Sequence, residues 1–105
     1  MTFDEYQTAA AETAVYKRNP QMTIMYPALG LAGETGEVLE KIKKFYRDAV
    51  IDREAVKKEL GDVLWYVSAL AGDLGFTLDD VAQTNINKLR DRKMRNQLHG
   101  SGDNR

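Results

Sequence analysis

Residues 30–44 read GLAGETGEVLEKIKK, and residues 57–67 read KKELGDVLWYV. Leu31, Thr35, Val38, Ile42 and Phe45 recur at spacings of four and three, one face of a helix expected from Pro27 to Arg47. Val56, Leu60, Val63, Val67, Leu70 and Leu74 form the matching stripe of a second helix, ending before Gly75. Only the short segment Asp48–Asp52 separates them, with Asp52 placed to cap the second helix. So short a connection makes the two helices antiparallel neighbours. The centre of the fold is therefore an antiparallel helix hairpin.

Outside the hairpin the pattern stays helical. Thr2 and Glu5 form a capping box for a first helix expected over residues 3–18, with Phe3, Tyr6, Ala10 and Ala14 on one face and Asn19-Pro20 as its stop. Residues 19–26 are unusually apolar for a connector, so they should pack against something. Thr77 caps a last helix reaching about Lys93, with Asp79 and Asp80 in its first turn. The tail, residues 94–105, reads as irregular or mobile. β-branched residues form no alternating runs. The expected fold is all-α, a four-helix bundle in a single domain spanning 1–105.

Composition narrows the chemistry. The chain has 105 residues, enough for one core, with 43% apolar and 30% charged residues. Fifteen basic against sixteen acidic residues leave a net charge of −1, with no global field to draw nucleic acid or a membrane. No cysteine is present, which excludes disulfides, thiolate metal sites and thiol nucleophiles and fits a reducing, cytoplasmic setting. The single histidine, His99, rules against a histidine-rich metal site or a Ser-His-Asp triad. No apolar run approaches the ~20 residues of a membrane span. Chemistry, if any, falls to carboxylates and a hard cation.

The carboxylates are arranged for it. Glu34 and Glu37 lie one helical turn apart, as do Glu59 and Asp62, and like charges at that spacing repel. A hairpin pivoting near Asp48 sets Glu37 level with Glu59 and Glu34 level with Asp62, roughly 16 Å from the turn. At 100° per residue each pair occupies the same flank of its own apolar stripe. With helix axes about 8–10 Å apart, all four carboxylates can converge. A divalent hard cation, which takes oxygen ligands, resolves their repulsion. A solvated acidic face among Lys41, Lys43, Lys44, Lys57 and Lys58 is the plain alternative. Gly33, Gly36 and Gly61 beside the acids point either to tight helix packing or to ligand access.

Glu34-x-x-Glu37 followed by Glu59-x-x-Asp62, with the flanking stretches quoted above and NINKLRDR at 85–92, resembles the MazG-type all-α nucleoside triphosphate pyrophosphohydrolases over roughly residues 26–105. The resemblance implies that Glu34, Glu37, Glu59 and Asp62 bind Mg2+, with Mn2+ a possible substitute. It implies attack of water at the α-phosphorus, releasing pyrophosphate and a nucleoside monophosphate. Glu37 and Glu59 are the candidate catalytic residues, and which acid takes the proton is left open. Such a metal acidifies water without histidine.

Candidate substrate contacts are Lys41, Tyr66, Asn85, Lys88, Arg92, Arg95, Ser101, Asp103 and Arg105. Asn85, Lys88 and Arg92 share a flank of the last helix, where the dipole also favours bases. The tail residues are placed to close over a nucleotide. Tyr66 either stacks on a base or pads the core edge. Asp73 falls further along the same flank.

Trp65 projects opposite the core stripe, and VLWYVSALAG leaves its helix apolar nearly all round. A helix apolar on every side is buried on every side, so a homodimer or homotetramer is expected. Removal of excess or unwanted nucleotides is the role implied, in a stand-alone phage or bacterial enzyme. A base-specific dUTPase- or dCTPase-type relative and a catalytically silent helical interaction module are the rival readings.

Overall fold

The structure is a computed structural model that describes residues 1–105. Four α-helices and no strands make up the fold: α1 (Phe3–Ala11), α2 (Met25–Asp48), α3 (Arg53–Asp73) and α4 (Leu78–Met94). Two short 3-10 turns, Val15–Arg18 and Pro20–Met22, join α1 to α2.

The α2–α3 hairpin is the main packing unit. Its four-residue connection begins at Ala49, whose left-handed φ of 60° closes α2 with a 2.7 Å bond from its own N–H to the Phe45 carbonyl. Asp52 caps α3 by accepting from the Ala55 amide at 3.0 Å. Gly75, at φ 83°, ends α3 as expected. Thr77 caps α4 by accepting from the Asp80 amide at 3.1 Å.

Gln7 binds α1 to the far end of the hairpin. Its side chain accepts from the Leu78 amide at 2.9 Å and donates to the carbonyls of Ser68 and Phe76. The capping box of α1 is present in both directions between Thr2 and Glu5.

The first helix is shorter than its composition suggests. It stops at Ala11, and Arg18 belongs to a separate 3-10 turn. Local propensity favours continuation, but tertiary contacts override it. The Thr13 hydroxyl donates to the Ala10 carbonyl at 2.8 Å and accepts from Trp65 Nε1 at 2.8 Å. The break at Ala14 then swings Tyr16 inward onto Asp73.

Asp73 is the knot of this region. Its side chain is 1% exposed and accepts from Tyr16 Oη at 2.8 Å, from the Ile24 amide at 2.9 Å and from Lys17 Nζ at 3.2 Å. Ile24 sits at φ 69°, ψ −54°, with the Met25 amide bonded to the Thr23 carbonyl at 2.8 Å. That is a γ-turn on a β-branched residue, a strained conformation. Asp73 fixes it, and α2 starts at Met25, two residues before the buried Pro27.

The isolated chain is open. Only six residues are buried, and the radius of gyration is 16.4 Å where a compact chain of this length gives ~13 Å. Leu60 and Leu74, expected in the core stripe of α3, are about half exposed, as are Leu29 and Leu39 of α2 to a greater degree. No helix is long and apolar enough to cross a membrane.

Candidate metal centre

Glu34 on α2 meets Glu59 and Asp62 on α3. One carboxylate oxygen from each lies within 4.8 Å of the others. The antiparallel hairpin brings these residues together, and the one-turn spacing of Glu59 and Asp62 aims both at Glu34. Glu37 stands outside this group of three. It remains close enough for its charge to act on Glu34. The level matching drawn from the sequence therefore holds for Glu34 with Asp62, while Glu59 turns to Glu34 as well.

No lysine or arginine pairs with any of the three acids; Lys57 is held by Glu54 and Lys43 by Glu40. Desolvation pushes the Glu34 carboxyl above the usual carboxylate range, and the charges of Asp62, Glu59 and Glu37 push it the same way. Three hard oxygen donors at this separation, with no internal cation, suit a divalent ion of the magnesium class, whose oxygen ligands sit near 2.1 Å.

The surroundings are aromatic. A cavity of about 280 Å³ opens beside Glu34 and Asp62, with Trp65 and Tyr66 as its other walls. Tyr66 packs edge-on against Trp65 at 4.9 Å and lies over Gly30, where a Cβ would collide with its ring. The close approach thus falls at Gly30. Gly33, Gly36 and Gly61 have no neighbour where a Cβ would sit, so packing within one chain does not account for them. Burial and then the Asp62 charge raise the Tyr6 hydroxyl, which puts this α1 residue within the field of the site.

Residues 23–95 match the family described as MazG nucleotide pyrophosphohydrolase domain. The chain belongs to the MazG family. It is also 45% identical over 114 residues to the Gene 37 protein of Mycobacterium phage L5, with all of both chains covered. No solved structure matches it.

Within one copy of this MazG chain, the basic groups of α4 turn to the tail. Lys88 Nζ pairs with Asp103 at 3.2 Å. The buried Arg92 donates to the Asp103 carbonyl at 2.6 Å and lies 3.6 Å from its carboxylate. Arg95 binds Asp91 and the Arg105 carbonyl, while Arg105 donates to the carbonyls of Gln97, Leu98 and Gly102. Asn85 and Ser101 are exposed, and Lys41 is half-buried on α2. None of these residues lines the cavity beside Glu34 and Asp62, whereas Tyr66 does.

Trp65 faces α1 and the connector, bonded to Thr13 and 6.2 Å from Tyr16, and is half-buried within the one chain. Tyr6 and Tyr26 carry no site signal in the sequence beyond their apolar spacing. The unusually apolar connector is the available clue to Tyr26.

Proposed function

We propose that this MazG protein is a divalent-metal-dependent nucleoside triphosphate pyrophosphohydrolase, cleaving an NTP or dNTP to the monophosphate and pyrophosphate. The observation that carries this reading is the convergence of Glu34, Glu59 and Asp62 without any internal cation. A structural acid would be paired, as Asp73 is.

Glu34, Glu59 and Asp62 hold the cation, Mg2+ by choice and Mn2+ as a substitute. The bound ion supplies charge to the triphosphate oxygens and acidity to water. Water adds to the α-phosphorus, the bond from that phosphorus to the bridging α–β oxygen breaks, and pyrophosphate leaves. Glu37, exposed and next to the group of three, takes the proton from the attacking water. Glu59 joins ligation to orientation of that water. Lys41 and Tyr66 flank the nucleotide from the same chain.

A homo-oligomer completes the site in this proposal. The sparse burial and the exposed apolar residues of α2 and α3 favour a second copy against the hairpin. Asn85, Lys88, Arg95, Ser101 and Arg105 then approach the triphosphate from the neighbouring copy, with Asp103 and the buried Arg92 holding the tail in place. Sedimentation equilibrium tests this, with a dimer or tetramer expected and a stable monomer excluding it.

The activity is tested by pyrophosphate release from the eight common NTPs and dNTPs with Mg2+, for the wild type and Glu59→Gln. Monophosphate formation that disappears in the variant is the expected result. Turnover confined to one pyrimidine nucleotide would make the protein a base-specific relative. A folded wild type with no turnover would leave the helical interaction module.

A further inference from the structure

Trp65 separates two cavities. On one side is the space beside Glu34 and Asp62. On the other is a cavity of about 460 Å³ whose walls include Tyr26, Tyr16, Thr13, Arg18 and Asn19. A volume of this order suits a small ligand. The two spaces share the indole, and Tyr26 and Tyr66 stand 6.2 Å apart across the divide.

The aromatic walls are fixed in advance. Tyr16 stacks on Tyr26 with ring centres 4.9 Å apart and planes 18° apart. Asp73 anchors Tyr16 from behind, and Thr13 anchors the indole N–H. Tyr26 keeps an exposed face. Flat apolar faces held rigid are what a nucleobase stacks on.

The uncommitted polar groups on the walls are donors. The Thr13 hydroxyl proton is already given to Ala10. Asn19 Oδ1 accepts from the Gln21 amide at 3.1 Å, which leaves the Asn19 NH2 without an acceptor in the chain. Lys17 is committed to Asp73, but neighbouring Arg18 pairs with no acid and lines the cavity. The side-chain groups left without a partner on this wall, the Asn19 NH2 and the Arg18 guanidinium, are N–H donors, which favours a base edge that offers acceptors. Guanine presents O6 and N7, and uracil and thymine present O4. Adenine and cytosine place an amino donor at the corresponding position.

We infer that the cavity bounded by Tyr26, Trp65, Arg18 and Asn19 is the base subsite of the nucleotide site, and that it selects keto bases (guanine, uracil, thymine) over amino bases. The inference rests on the proposed nucleotide activity, since it seats the base on the far side of Trp65 from the carboxylates.

Trp65 is the chain's one tryptophan, so indole fluorescence reports on the cavities it borders, and variants at Arg18 and Tyr26, which line only this one, assign the response to it. The full chain, with EDTA present, is titrated with GMP, UMP, AMP and CMP, and the midpoint of the absorbance-corrected quench is read. Saturable responses are expected, with midpoints for GMP and UMP about tenfold lower than for AMP and CMP. Arg18→Ala, an exposed position, should erase that ranking. Tyr26→Ala should raise every midpoint about tenfold. Equal midpoints for all four nucleotides, or an unchanged ranking in Arg18→Ala, would overturn the inference. Glu59→Gln separates it from the activity. Ranked quenching by a wild type that turns over no triphosphate would leave the subsite standing and sink the hydrolase. Turnover without ranked quenching would do the reverse.

Discussion

Asp62 and Asp73 stand on the same helix, and their surroundings differ in kind. Asp73 is sealed from solvent and receives a hydroxyl, a backbone amide and an ammonium. Burial alone would raise its pKa, but the Ile24 amide, the Tyr16 hydroxyl and Lys17 outweigh it and hold the carboxyl below the usual range. Asp62 receives no such partner. It shares its space with Glu34 and Glu59, and Glu34 is pushed up by desolvation and by its acidic neighbours. An acid that stabilises the fold is saturated with donors. An acid kept for an external cation is left with other acids.

The largest expected effect crosses the two positions. Asp62→Asn should lower kcat/KM for triphosphate hydrolysis by at least about 10²-fold, more than loss of an outer partner of a metal site costs. Its thermal midpoint in EDTA should stay level or rise, because like-charge repulsion is relieved. Asp73→Asn should lower the midpoint while the folded fraction keeps most of its kcat. A destabilised Asp62→Asn with normal kcat/KM would invert the comparison and make the acid cluster a structural one.

Next in size is the response to cation. A divalent ion at a hundredfold excess over its Kd adds about 2.7 kcal/mol to stability. For a chain of this length that is a rise of order 10 °C in Tm. Wild type and Asp73→Asn should both show the rise with Mg2+ or Mn2+, and Glu34→Gln should not. A shift that persists in Glu34→Gln would place the ion elsewhere.

The hairpin, the caps at Thr2, Asp52 and Thr77, and three of the four acids expected to converge, Glu34, Glu59 and Asp62 without Glu37, were legible from residue type and from spacing along a helix. Residues 12–26 were not. Their path is set by contacts with residues distant in sequence, chiefly Trp65 with Thr13 and Asp73 with Tyr16 and Ile24. Helical propensity says nothing of these, so the sequence pattern extends α1 seven residues too far, to Arg18 instead of Ala11. For the same reason the sequence does not show that the connector packs on Trp65, although the side of α3 that carries it is legibly apolar. The turn of Lys88 and Arg92 to Asp103 was equally hidden, since charge along α4 does not tell which anion answers it.

Acid should separate the two regions by sign. Asp73 has a depressed folded pKa, so its contribution is present above the ordinary carboxylate value near ~3.9 and is lost as pH falls through the depressed value. Glu34 has a raised folded pKa, so its contribution is favourable below ~4.3 and is lost as pH rises through the raised value. Urea midpoints measured against pH in EDTA should therefore show a shallower acid limb in Asp73→Asn, with Glu5, Glu40, Asp48 and Asp103, also held low, accounting for the rest. In Glu34→Gln the decline on the rising side should vanish instead. At neutral pH, Asp73→Asn should cost about 2 kcal/mol, the scale of buried hydrogen bonds to a charged acceptor.

Lys17 gives the smallest effect and the sharpest test of what makes Asp73 structural. Its ammonium lies 3.2 Å from the carboxylate, yet its side chain is 42% exposed. Solvent screening holds such a pair to less than about 1 kcal/mol. The Tyr16 hydroxyl and the Ile24 amide, by contrast, reach Asp73 from inside the fold. Lys17→Met keeps the aliphatic stem over the connector and removes only the charge. It should lower the urea midpoint by less than half of what Asp73→Asn does, and Tyr16→Phe should exceed it. If Lys17→Met matched Asp73→Asn, the knot would be an ion pair in essence. The contrast with Glu34, Glu59 and Asp62 would then reduce to the presence of one lysine. If the hydroxyl and amide dominate, the contrast lies in the backbone: the strained turn at Ile24 exists to aim its N–H at Asp73, and no equivalent donor is aimed at the three acids.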